Sequence, residues 1–393
     1  MNNSLSLKER TIEEVGKLQD KLVELSRRIH ANPEVGFQEH KAMAWITQML
    51  EGAGFRVERG ISGMPTAFLA TWGEGHPAVA FLAEYDALPE IGHGCGHNII
   101  ASSAVGAALA SKAVGGERRG MFAVVGTPAE EMGGAKVPLA RLGVFNQFDA
   151  VMMVHPGLRD TVATQSLACA GLEVEFYGRA AHASAEPEKG INALDALILS
   201  FSGINALRQH IRSDARIHGI ITKGGDAPNI IPSHTAATFY VRARKEEYLD
   251  ELGERVLMCL RGAAKATGAS LEHRWADWRY AALRNNGPLM EAFAANLKVL
   301  GRPPEPPDPA EGFASTDTGN VSVVAPTIHP SLAIAHPHSL RHSPEFARAA
   351  VSPEGDKGLL DAAKAMAMTA MDVFTDDNLV RRIIANFEEG HRA

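Results

Sequence analysis

The chain has 393 residues, 45% of them apolar and 22% charged, which is enough for more than one hydrophobic core and too apolar for a disordered polypeptide. Lys and Arg number 39 against 46 Asp and Glu, a net charge of −7. With a pI near 6.2, that balance argues against general nucleic-acid or anionic-membrane binding, which needs a basic surface.

Taken in chain order, Leu7 to Ala31 predicts a helix, with Ile12, Val15, Leu18, Leu22 and Leu25 near a 3.6-residue spacing, stopped by Asn32-Pro33. A second helix is expected from Glu39 to Gly52. Ala78 to Ala83, Met121 to Val125 and Ala150 to Val154 are continuous apolar runs bounded by Gly, Pro or charge, the pattern of central strands covered on both faces. Helical patterns at Ile99 to Ala113 and Ala135 to Leu142 lie between them, so this half reads as α/β with a mostly parallel sheet. Ligands of such sheets sit beyond the carboxyl ends of the strands.

From Leu167 the texture changes to strand (Gly171 to Tyr177), helix (Asn192 to Ile211), two strands (Ile217 to Thr222, Ala236 to Ala243), helix (Glu246 to Thr267) and strand, an α+β sandwich. The first texture returns after Trp278 with a helix from Pro288 to Leu300, a proline-rich loop from Gly301 to Pro309, a histidine-rich stretch and a terminal helix around Leu359 to Phe374. One catalytic domain, residues 1–166 and 279–393, interrupted by a smaller one, 167–278, is the simplest organisation. Ile99 to Ala110, the most apolar stretch, falls short of the ~20 residues of a membrane span. The polar start MNNSLSLKER carries no visible secretory signal, so a cytoplasmic location is expected. Cys95, Cys169 and Cys259 are too few and too scattered for a disulfide framework, whereas 16 histidines are a surplus.

Metal-competent side chains concentrate in four segments. In His93-Gly94-Cys95-Gly96-His97, a thiolate and an imidazole two residues apart on a glycine-loosened backbone can face one ion, and this soft pair favours zinc or a neighbouring transition metal. Glu130-Glu131 follows the strand Met121 to Val125. Adjacent carboxylates ordinarily mark a solvated helix start, but on an irregular bend one can hold a metal while the other takes a proton from water. His155 closes the apolar run Ala150 to Val154. In the fourth segment His329, His336, His338 and His342 compete for one role, and the sequence does not choose among them. Cys95, His97, Glu131, His155 and one late histidine suffice for two ions sharing a bridging ligand.

EYDALP, GHGCGHN, GTPAEE, VHPG, GRAAHAS, Pro228-Asn229-Ile230-Ile231-Pro232 and HSPEF occur in an order that resembles the M20 family of metallo-amidohydrolases and peptidases, in its aminoacylase-like, p-aminobenzoyl-glutamate hydrolase-like and dipeptidase-like branch. The resemblance implies a catalytic domain holding two divalent ions, with an inserted lid or dimerisation domain. It implies Cys95, His97, Glu131, His155 and His342 as ligands, Glu130 as general base and acid, and Asp86 as the carboxylate that orients a ligand. His182 would reach the partner subunit's site and polarise the scissile carbonyl, and Asn229 and Arg242 would meet the substrate carboxylate or its neighbourhood, Arg242 reading equally well as an ordinary strand-face arginine. Asn98 stands where many relatives carry Asp, and Ala314 to Asn320 replaces a Ser-Glu-Asp-Phe segment, as on the aminobenzoyl-glutamate hydrolase and dipeptidase side.

The expected activity is hydrolysis of the amide bond in small N-acyl amino acids, aminobenzoyl-amino acids or dipeptides by a metal-activated water whose proton Glu130 takes. Zinc suits the ligand set, and manganese, cobalt or nickel could occupy it. The expected partner is a second copy joined through the inserted domain, with a different subunit as the alternative. Two rival readings are an amide hydrolase with Cys95 as nucleophile and a non-catalytic binding protein that keeps the fold.

Overall fold

The computed structural model describes residues 6–116, 119–306 and 314–392, so the end of the proline-rich loop, 307–309, lies outside the described residues. Ser6 caps the first helix, α1 (Leu7–His30): its hydroxyl accepts from the Glu9 N–H while the Glu9 carboxylate accepts from the Ser6 N–H. There follow α2 (His40–Gly52), β1 (Arg56–Arg59), β2 (Phe68–Glu74), β3 (Ala78–Ala83), α3 (His97–Gly115), β4 (Gly120–Gly126), α4 (Lys136–Arg141), β5 (Ala150–Met152) and β6 (His155–Gly157). The interrupting segment supplies β7 (Ala168–Tyr177), α5 (Ala193–Leu207), β8 (Arg216–Lys223), β9 (His234–Ala243), α6 (Glu246–Thr267) and β10 (Ser270–Tyr280). Last come α7 (Gly287–Val299), α8 (Thr318–Ser322), β11 (Thr327–Ile328), β12 (Ser331–Ala333), α9 (Pro344–Ala349), α10 (Pro353–Thr375) and α11 (Asp377–Arg392).

The chain divides into two units, one of Met1–Gln165, Leu283–Gly312 and Asp317–Ala393, the other of Ser166–Ala282 and Phe313–Thr316. In the first, the sheet order is β1-β2-β4-β3-β5-β11. The four strands β4, β3, β5 and β11 run parallel, and β2 and β1 extend one edge antiparallel. The run Ala78–Ala83 is apolar throughout because both of its faces are covered. Val79, Phe81 and Ala83 join the core that includes Leu22, Val105 and Met366, while Ala78, Ala80 and Leu82 join a second one with Leu139 and Phe145. The carboxyl ends of β3 and β4 deliver Glu84 to Asp86 and Thr127 to Glu131 to one rim.

In the second unit the antiparallel order is β10-β7-β9-β8. Leu172, Val174 and Phe176 of β7 and Phe239 and Val241 of β9 alternate onto α5 and α6, packing with Leu197, Leu252, Val256 and Leu260. Along the edge strand β8 Ile217 alone is buried, and Ile220 and Ile221 are 66% and 45% exposed.

Three expectations need correction. The strand expected over Ala150 to Val154 stops at Met152, and His155 opens a separate strand, β6, that pairs in parallel with β12. The helix expected to run to Ile211 ends at Leu207 in a 3₁₀ turn, where the Arg208 guanidinium turns back to the Ile217 carbonyl at 2.7 Å. The helix expected to be terminal is α10, and a further helix, α11, follows it and buries Leu379 and Ile383. No helix among the described residues is long and apolar enough to cross a membrane.

Candidate active site

Cys95, Gly96 and His97 lead into α3. Gly96 has φ +77° at the helix N-cap, and a Cβ there would come within 2.6 Å of Pro156 Cγ. A glycine between the cysteine and the histidine therefore lets the β6 segment approach closely enough for Cys95 Sγ to lie 3.4 Å from His155 Nε2. Sγ and one ring nitrogen each of His97 and His155 lie within 4.8 Å of one another. Cys95, Glu131 and His342 form a second such group, and His97, Glu130 and Glu131 a third. His342, left-handed at φ +55°, is tied to the cysteine loop by its N–H, which donates to the Gly94 carbonyl at 3.0 Å. Its Nε2 lies 3.5 Å from Glu131 Oε1.

Asp86 joins two of these groups from behind. Its Oδ1 lies 2.9 Å from His97 Nδ1, and its Oδ2 accepts from the Glu131 N–H at 3.0 Å. With Nδ1 committed to Asp86, His97 presents Nε2 3.4 Å from Glu84 Oε2 and 3.9 Å from Glu131 Oε1. All three atoms are buried without a hydrogen-bond partner. Buried polar atoms are almost always satisfied, and an imidazole nitrogen and carboxylate oxygens left unsatisfied beside a thiol and a second imidazole fit a divalent cation.

Electrostatics sharpen the picture. Burial pushes the Cys95 thiol up to about 12 against the pull of His97. His155 is held well below the usual imidazole range by burial and then by His329 and His97, which leaves the ring neutral, the form that binds a metal. The Glu130 carboxyl is pushed well above its usual range by burial, Glu84 and Asp317. Burial would raise Asp86 too, but His97 holds it low.

Next to Glu130 lies a cluster that the sequence reading missed. The ammonium of Lys136 is 2.6 Å from both Glu84 Oε1 and Asp317 Oδ1, and all three side chains are fully buried. Burial opposes the charge on Lys136, yet Asp317 and Glu84 hold it above the usual lysine range. A Lys at the start of a short helix whose next four residues are apolar (Lys-Val-Pro-Leu-Ala) was the available signal. Of the late histidines His329 is buried, its ring centroid 5.6 Å from that of His155, whereas His336 and His338 are exposed, their rings tilted by 47° with centroids 5.2 Å apart. Asn98, buried, donates to Ser26 Oγ and the Ala350 carbonyl, between α1 and the end of α9.

The second unit holds His182, Asn229 and Arg242. The first two lie on neighbouring segments, with Ala183 N–H donating to the Asn229 carbonyl at 3.0 Å and His182 bridged to Ile230. His182 Nδ1 accepts from the N–H groups of Ser184 and Ala185 at 3.3 and 3.2 Å, which puts the ring proton on Nε2. Arg242, on β9, donates from Nη1 to Ser315 Oγ at 3.0 Å and stands apart from that pair in the fold of the unit.

Known proteins bear on these residues. The model of the M20 peptidase dimerisation domain matches residues 168–267. The Xaa-Arg dipeptidase of Mus musculus is 38% identical over 97% of this chain and 92% of its own length. A subunit of the p-aminobenzoyl-glutamate hydrolase of Escherichia coli (strain K12) is 34% identical over 71% of this chain and 62% of its own length. A Bacillus subtilis dinuclear metal binding peptidase from the M20 family shares the fold, with TM-score 0.69 and 20% identity over 91% of this chain and 99% of that one. With that sequence likeness along nearly its whole length, the chain belongs to the M20 family of metallo-amidohydrolases and peptidases and is a hydrolase of amide bonds.

Proposed function

We propose that the protein uses two divalent ions and Glu130 to hydrolyse the amide bond of small N-acyl amino acids, aminobenzoyl-amino acids or dipeptides. The observation that carries this reading is the convergence of Cys95, His97, His155, Glu131 and His342 around buried, unpartnered donor atoms, with Glu130 beside them. Cys95, His97, Glu131, His155 and His342 would hold the ions; zinc suits the thiolate and imidazoles best, and manganese, cobalt or nickel could take the same donors. Such ions supply Lewis acidity, which makes water nucleophilic near neutral pH and polarises a carbonyl.

The chain's own residues do the rest. Asp86 fixes the tautomer of His97. Glu130, whose raised proton affinity suits a base that must later act as an acid, takes a proton from the attacking water and returns it to the leaving nitrogen. His182 offers its Nε2–H to the carbonyl oxygen in the partner subunit's site. Asn229 and Arg242 engage the substrate carboxylate. In this scheme residues 1–166 and 279–393 form the catalytic domain and 167–278 the lid and dimerisation domain.

The match to a peptidase dimerisation domain and the exposed edge strand β8, with Ile220 and Ile221 outward, support a homodimer. A different partner subunit is the alternative, and the name of the Escherichia coli relative, a hydrolase subunit, keeps it in view. All three cysteines are free thiols, in keeping with a cytoplasmic setting.

The 3.4 Å approach of Cys95 to His155 favours a second reading, a thiol hydrolase. Against it, the thiol is pushed up to about 12 and the histidine is a weak base. The test is a metal-reconstituted screen over N-acyl amino acids, aminobenzoyl-glutamate and dipeptides, Xaa-Arg among them, with chelator controls. Turnover that disappears on chelation and returns with added ion supports the proposal. Activity that survives chelation but is lost to alkylation would transfer it to Cys95. Silence across the panel with the ions bound would point to a binding protein.

A further inference from the structure

Ala129 precedes Glu130 and has φ +57°, the left-handed region that an L-residue with a Cβ occupies at a cost. Strain of this kind persists where surrounding contacts over-determine the backbone. Here the contact is specific: the Ala129 N–H, buried, donates to Glu39 Oε1 at 2.8 Å. Glu39 is fully buried and occupies the N-cap position of α2, yet its side chain makes no capping hydrogen bond to its own helix. Its carboxylate reaches instead to the other loop.

The packing around this bond is close. A Cβ on Gly36 would lie 2.8 Å from Ala129 Cβ, and one on Gly133 would lie 2.6 Å from the Phe37 ring. The segment Gly36 to Glu39 thus moulds itself onto Ala129 to Gly133. On the far side of Glu130, the Glu131 N–H is held by Asp86. Glu130 therefore stands between two N–H groups gripped by carboxylates, that of Ala129 by Glu39 and that of Glu131 by Asp86.

From this geometry we infer that Glu39 is a positioning residue. It holds Ala129 in its left-handed conformation and so sets the direction in which Glu130 and Glu131 leave the backbone. The inference rests on the reading that Glu130 moves the proton and Glu131 binds an ion. Misplacing a catalytic group by about 1 Å can cost on the order of 100-fold in rate.

The experiment compares Glu39→Ala, Glu39→Gln and the double variant Glu39→Ala/Ala129→Gly, with Glu130→Gln as reference. Turnover is read on the aminobenzoyl-glutamate or dipeptide probe that the wild type cleaves, and zinc retention is read by competition with a chromogenic chelator. Glu39→Ala is expected to lower kcat by roughly 10- to 100-fold with KM little changed, and to weaken zinc retention. Glu39→Gln keeps an acceptor oxygen and is expected to stay within about threefold of wild type. Glycine adopts φ above zero freely, so the double variant should recover much of the lost kcat and zinc retention without regaining the stability lost with Glu39. A purely structural role would leave kcat falling with stability and unrescued by glycine.

The inference is overturned if Glu39→Ala matches wild type in both readouts, if Glu39→Gln is as damaged as Glu39→Ala, or if the double variant is no better than Glu39→Ala. An active Glu130→Gln would instead sink the assignment of Glu130, while the zinc readout would still decide the role of Glu39.

Discussion

Replacing Lys136 by Met removes the ammonium from a buried cluster of carboxylates and leaves the surrounding volume nearly filled. The ammonium lies 2.6 Å from each of Glu84 and Asp317 and is shut off from solvent. At an effective dielectric near 20, each contact carries roughly 6 kcal/mol of gross attraction, most of it offset by the cost of drying three charges. Breaking such a pair from one side costs about 3–5 kcal/mol, because the partners stay buried and uncompensated. That is a large part of the ~5–15 kcal/mol that holds a domain together. The loss should also depend on pH: burial already pushes Asp317 up to about 6 against the pull of Lys136. Without the ammonium it rises further, so protonation relieves the variant in acid, and the deficit should be largest near pH 8 and shrink toward pH 5. Urea unfolding at fixed divalent-ion concentration, followed through Trp45 and Trp72 in a Trp275→Phe/Trp278→Phe background, restricts the signal to the unit that contains the cluster. A loss below about 1 kcal/mol that is the same at both pH values would refute the reasoning.

Glu39 offers a second titration, with its carboxyl pushed up from 4.5 to about 7 by burial and, less, by Asp86. A carboxyl raised in the folded state contributes stability that is fully present below its unfolded pKa and lost as pH rises through the folded one. Wild type should therefore lose about 3 kcal/mol relative to the always neutral Glu39→Gln between about pH 4.5 and 8; a constant difference in urea titrations would contradict this. Ile220→Glu/Ile221→Glu places charge on the β8 edge and is expected to halve the sedimentation mass, whereas an unchanged mass would remove β8 from the interface. His182→Ala mixed with Glu130→Gln should regain activity that neither parent has, since each mixed dimer then carries one intact site. Absence of complementation would confine His182 to its own chain.

The elements legible in the sequence are those whose pattern is set locally or by full burial. Glu246 to Thr267 folds as the helix that its alternating charges and leucines predict, and Ala78 to Ala83 as the covered central strand. α11 carried a local signal that went unread: Leu379, Val380, Ile383, Ile384 and Phe387 recur at helical spacing among Asp, Arg and Glu, and Leu379 and Ile383 are buried. His155 was read as the end of one strand because Met153 and Val154 continue the apolar run; its pairing with Ser331 depends on a segment far along the chain. The Cys-Gly-His and Glu-Glu motifs are short-range and could be seen. The bonds that surround them, Glu39 to Ala129 and Lys136 to Asp317, span 90 and 181 residues and involve residue types that are ordinarily solvated, so no local pattern announces them.

The central claim is that Glu130 moves the proton while other side chains hold the ions. Its most direct test is to measure bound divalent metal and turnover together on Glu130→Gln. The account predicts the wild-type metal content with kcat reduced by about 10²- to 10⁴-fold. Turnover close to wild type at full metal content would contradict it.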